Sequence, residues 1–139
     1  MSMIEGDVMG ELPEQAIKRV STPTWDRLRP QFMEIGRLLL GVSPDVNSEF
    51  FSHYIRFTAC TAPNSPPYAA VWIKNTKRLI VGLALPETYE AEGLGPALPR
   101  TAYKGLAKYF AVEPGDAVPE GFSEWARLAY RNVLVASKA

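Results

Sequence analysis

Apolar and polar positions alternate most clearly between residues 53 and 85. Three short runs there are rich in β-branched and aromatic residues, and each is bounded by Pro or Asn clusters, the pattern of strands separated by turns. They span 54–60, 68–74 and 78–85. The first connection holds Pro63, Pro66 and Pro67, which cannot donate to a ladder and so belong to a loop. The chain therefore predicts a three-strand antiparallel meander, with the rest laid on it or leading to it.

Strand alternation assigns the faces. Ile55, Phe57 and Ala59 share one side of the first strand. Leu79, Val81, Leu83 and Leu85 share one side of the third. Two registers are open for the second hairpin. A two-residue turn at Asn75-Thr76 sets Lys74 against Lys77 and Trp72 beside Leu79, but Thr is poor at the second position of such a turn. A three-residue connection at 75–77 pairs Ile73 with Leu79 and Val71 with Val81, gathering the aliphatics on one face. It is the preferred reading, since a one-residue slip inverts a strand. Tyr68, Ala70, Trp72, Ile80 and Gly82 then lie on a second face too apolar to be simply solvated.

Helical periods flank the meander. Trp25, Leu28, Phe32, Ile35 and Leu39 recur at three and four residues, predicting a helix over 22–40. Thr22 and Pro23 stand at its start, Pro30 should kink or split it near Arg29, and Gly41 ends it. Residues 42–49 read as a loop. Residues 120–135 predict a last helix with Phe122, Trp125, Ala126, Ala129 and Val133 on its buried stripe. A weaker helix is expected over 12–20 and a flexible tail over 1–10. Residues 109–112 read as a short edge strand. The fold class is α+β in two layers: an antiparallel sheet of about four strands under two main helices, in one domain.

Composition narrows the function classes. Fifteen basic and fifteen acidic residues cancel, so the chain lacks the electrostatic footprint of nucleic-acid binding. A single cysteine, Cys60, permits no internal disulfide and suits a reducing cytoplasm. No apolar run approaches the ~20 residues of a membrane span. The first residues lack the basic and apolar regions of a signal peptide.

The meander YIRF…YAAVWI…RLIVGLAL, the preceding GRLLLGVSPDV and the closing GFSEWARLAY together resemble a small bacterial family known as a domain of unknown function. Some of its members carry the label predicted transport protein. YdhG-like proteins share a similar layout. The resemblance covers roughly residues 25–136 and implies helices on one face of an antiparallel sheet. It implies no catalytic residues.

Little chemistry stands out. His53 and Cys60 are the sole histidine and cysteine. On one strand they would point to opposite faces and lie roughly 20 Å apart, too far for a nucleophile–base pair. Neither can build a metal site alone. Glu87, Glu90 and Glu92 sit in a long loop over 87–99 without the spacing of a calcium loop. Gly93-Leu94-Gly95-Pro96 lacks the Lys of a phosphate loop. Arg100, Lys104 and Lys108 follow at helical spacing and could face an anion. The candidate ligand or interface residues are thus Tyr54, Tyr68, Trp72, Ile80, Arg100 and Lys104, with no catalytic residue, metal or cofactor assigned. Two functions remain open. The absence of a nucleophile–base pair, metal cluster or cofactor loop favours the first, a non-enzymatic binding or interaction module that forms a homodimer through the second sheet face, with another protein or a small molecule as its unknown partner. The other is a small-molecule-binding domain or enzyme with a cleft under the 87–100 loop. Neither involves nucleic acid or membrane.

Overall fold

The computed structural model describes residues 11–59, 65–98 and 100–138. Helix α1 (Glu14–Val20) is followed by a single 3-10 turn (Pro23–Trp25) and helix α2 (Arg29–Leu40). Strands β1 (Asn47–Phe51), β2 (Tyr54–Thr58), β3 (Pro67–Asn75) and β4 (Arg78–Leu83) come next, then β5 (Lys108–Val112) and helix α3 (Phe122–Lys138). The strands form one antiparallel sheet in the order β1-β2-β3-β4-β5. This is an α+β fold with five strands rather than four.

The extra strand is β1, expected as loop. Its residues Asn47-Ser48-Glu49 have low strand propensity, and its burial alternates weakly because it lies at the sheet edge. Cross-strand pairing holds it: Glu49 stands opposite Arg56 and accepts a 2.6 Å charge-assisted bond from it. The expected 22–40 helix splits where Pro30 demanded. Arg29 starts α2 with Pro30 in its first turn, where the missing N–H costs nothing. Arg29 also turns back, donating through Nε to Val20 O at 2.7 Å and through Nη2 to Thr22 O at 2.8 Å. It thereby satisfies the Val20 carbonyl at the end of α1 and ties the start of the 3-10 turn to α2.

One sheet face carries the helices. Ile55, Val71, Val81 and Phe110 line up across β2 to β5. Phe110 meets the rings of Phe122 and Trp125 from α3, at 5.3 and 5.7 Å between centroids. Trp25, Phe32, Phe57, Val71, Val81, Leu83, Phe122 and Trp125 are all buried, as the helical stripes and the aliphatic face require. Truncating Phe57, with no exposed surface, would cost about 3–5 kcal/mol.

Two local rules were broken. The inner register follows the three-residue connection, with Val71 opposite Val81 and Trp72 opposite Ile80. The tip then shifts, so that Asn75 faces Arg78 across the two-residue turn Thr76-Lys77. The Lys77 N–H donates to Asn75 Oδ1 at 2.9 Å, which fixes that turn. The second break is at Tyr68, expected on the second face. A bulge sets Phe57 against Ala69 and Thr58 against Pro67, leaving Tyr68 as the extra residue. Its ring turns to the helices, fully buried. There its hydroxyl donates to Leu39 O, and the ring meets Tyr130 edge-on at 5.4 Å.

Helix α1 is tied to its neighbours by two contacts. Leu12, just before α1, packs on α2: a Cβ at Gly36 would come within 2.8 Å of Leu12, so the glycine makes room for that side chain. Arg19 then clamps α1 to the end of β3, donating to Ile73 O at 2.6 Å and Lys74 O at 2.8 Å. The second face is covered by the long connection from β4 to β5. Gly95 exchanges backbone hydrogen bonds with Tyr109 at 2.8 and 2.9 Å along the outer side of β5. The chain then crosses the sheet, placing Leu106 and the ring of Tyr103 over it.

Candidate functional site

The second face is an aromatic layer. Phe51 stacks on Tyr54 at 5.4 Å, and Tyr54 on Trp72 at 5.5 Å. Tyr103 descends edge-on against Tyr54 at 5.7 Å and Trp72 at 6.5 Å, while Tyr109 flanks Trp72 at 6.0 Å. The candidates Tyr54, Trp72 and Ile80 do share this face, but Trp72 keeps only 6% of its surface and Ile80 9%. Trp72 and Ile80 belong to a covered layer, while Tyr54 is half-buried at its rim.

The outer end of that layer is polar. The Arg56 guanidinium lies 4.7 Å over the Phe51 ring and pairs with Glu49. Glu49 first, and Tyr103 second, hold Arg56 protonated above even its ordinary range. Burial, then Tyr103, pushes the Tyr54 phenol up. Arg56 Nε is buried without a hydrogen-bond partner. Next to it, His53 N–H donates to Phe51 O across Ser52, whose φ is +49°. That left-handed backbone is strained for a residue with a Cβ, and the tight turn sets Phe51 against Tyr54. His53 itself is exposed. Cys60 lies outside the described residues.

The basic candidates separate. Residues 100–107 form no helix, so Arg100, Lys104 and Lys108 share no helical face. Arg100 is exposed with φ +66°. Lys108 opens β5 and borders a polar depression of about 460 Å³ with Glu90 and Glu92. Among the described residues, no group of three or more His, Cys, Asp or Glu could hold a metal ion. No helix among them is long and apolar enough to cross a membrane.

Lys104 lines a larger cavity. A cleft of about 670 Å³ opens between the start of β3, the end of β4, the 102–105 segment and the last turns of α3. Pro66, Pro67, Ala84, Ala102 and Val133 give it apolar walls. Tyr103, Lys104, Gly105 and Asn132 complete it. Asn132 is pinned, donating through Nδ2 to Ala84 O at 2.7 Å. The opposite wall is a turn: Leu106 N–H donates to Tyr103 O at 3.0 Å, with Gly105 at φ +93°. Gly at the third position of a turn with positive φ is the type II pattern, and it leaves Lys104 at the tip.

That turn is held from below by the sheet. Tyr109 passes its hydroxyl upward to accept the Tyr103 N–H at 2.8 Å. Its ring has room because β4 carries Gly82 opposite it: a Cβ there would come within 2.6 Å of Tyr109 Cε2. Gly82, Tyr109 and Tyr103 thus connect the strand sequence to the cleft wall.

The sequence pointed to Lys104 but not to its neighbours. Tyr103, Asn132 and the two prolines carry no periodic signal, and they come together only through tertiary folding. Lys104 was a candidate through its helical spacing with Arg100 and Lys108, which the structure does not keep; Gly105 after it was the signal that could have marked a turn. Compared with known proteins, the chain matches no family model, no curated protein and no solved structure.

Proposed function

We propose that this protein is a binding module that receives a small molecule in the cleft between the Tyr103–Leu106 turn and α3. The observation that carries the reading is the cleft itself, about 670 Å³ with mostly apolar walls, lined also by Lys104 and by Asn132, whose amide is held by Ala84 O. Ligand pockets commonly have ~300–1,000 Å³, apolar linings and a few placed polar groups. The place differs from the sequence expectation, which put a cleft under the 87–100 loop. The polar depression there is smaller and is walled largely by the loop itself.

Self-association has less to rest on. Trp72, its expected centre, lies beneath Tyr103. Among the described residues the outer edge of β1 has no neighbouring strand, yet two-fold antiparallel pairing about its middle residue would set Glu49 against Glu49. Like charges directly opposite each other destabilise a strand pair. A reducing, cytoplasmic setting remains our reading of the single cysteine. The bacterial-family resemblance adds no chemistry to the assignment.

Ligand-detected NMR with a mixed library of neutral, anionic and cationic fragments tests the proposal. Ala102 is exposed on the cleft wall, so Ala102→Trp should fill the cleft without disturbing the fold. Fragments that bind wild type and not the variant support the reading. Fragments binding both equally, or none binding wild type, would refute it.

A further inference from the structure

We infer that the ligand taken by this cleft is an amphipathic organic anion, a small carboxylic acid with an apolar body. The inference rests on the cleft reading above. Charge on the wall is one-sided: Lys104 is the one charged residue among the described lining residues, and none of them is a carboxylate. Lys104 is exposed at the tip of its turn, within reach of a ligand entering the cleft. Gly105, at φ +93°, fixes the direction in which that tip faces.

Across the cleft, Asn132 offers a second donor. A carboxamide has two N–H groups, and Ala84 O engages one at 2.7 Å. Between Lys104 and Asn132, Pro66, Pro67, Ala84 and Val133 present apolar surface. A cationic head would meet an ammonium with no carboxylate to offset it. A wholly apolar ligand would leave both donors unused. An acid with an apolar body satisfies the two donors and covers the apolar walls together.

Octanoate, octanol and octylammonium share a body and differ in the head. Each is titrated into the full-length protein at neutral pH and low salt, following backbone amide shifts. All three should move the amides of Lys104, Gly105 and Asn132. Octanoate should bind about fivefold tighter than octanol, the scale of an exposed ion pair, and octylammonium weakest. High salt should shrink the octanoate preference. Lys104→Ala should bring octanoate to the affinity of octanol and leave octanol unchanged, and Lys104→Glu should favour octylammonium. Equal affinities of octanoate and octanol for wild type, with the cleft amides still moving, would overturn the anion inference alone. No movement of these amides with any probe would overturn the cleft reading and the inference with it.

Discussion

Tyr109→Phe removes a single oxygen and tests how the sheet supports the cleft. Tyr109 is 2% exposed, so water does not replace the lost hydroxyl. The Tyr103 N–H, which donates to it at 2.8 Å, is left without its acceptor. A net hydrogen bond contributes about 0.5–1.5 kcal/mol, and a stranded buried donor costs about 1–3 kcal/mol. Tyr103 is half-buried, which places the total near the low end, about 1–2 kcal/mol. For a chain of this length that lowers Tm by roughly 3–8 °C. Thermal denaturation reads the global effect. Hydrogen exchange reads the local one, with faster exchange at Tyr103 and Leu106 and unchanged protection in β3. Gly82→Ala acts on the same ring from beneath, because its Cβ would fall 2.6 Å from Tyr109 Cε2. It should reproduce the local loosening. A Tyr109→Phe protein with wild-type Tm and wild-type protection at Tyr103 would refute the claim that Tyr109 holds the turn.

Three other perturbations follow from the same geometry. Ser52→Gly should stabilise by about 0.5–1 kcal/mol in urea unfolding, because glycine adopts φ +49° without the steric cost of a Cβ; a loss of stability would contradict the strained turn. Trp72→Glu should destabilise by about 3 kcal/mol or more, since it places an unpaired carboxylate beneath Tyr103; a variant that melts like wild type would show that Trp72 is not covered. Tyr54, Tyr68 and Tyr109 all have phenols pushed up, with burial the first cause in each. The unfolded chain loses these protons first, at about pH 10, so their stabilisation is complete below that pH and declines as pH rises through the folded values. Urea unfolding should show a fall between pH 8 and 11 that Tyr68→Phe reduces, and equal stability at both pH values would count against it.

The sequence made the helix-facing layer legible because its signal was redundant. Val71 and Val81 sit opposite each other since only that register gathers the aliphatics of β3 and β4 on one side. Phe122, Trp125, Ala126, Ala129 and Val133 repeat at helical spacing and are all buried. Tyr68 escaped the same logic because one bulged residue inverts the alternation locally, and no residue type announces it. Strand β1 was hidden by its polar edge composition, and the Glu49–Arg56 pair that holds it is a long-range fact. The second face was recognised as too apolar for solvent, but its cover was not. Tyr103 and Leu106 sit in a coil without period, so where they land is decided by Gly95 bridging Tyr109. The cleft follows from that landing, and for that reason only Lys104 of its polar residues was a candidate beforehand.

The most direct measurement is of intermolecular NOEs from a bound fragment to assigned methyl groups. The account predicts contacts to Ala84, Ala102 and Val133, the methyl-bearing walls of the cleft. It predicts that these vanish in Ala102→Trp. A fragment whose contacts fall instead on the rings of Phe51 and Tyr54, or on Leu128 and Val135 on the other side of Asn132, would contradict it.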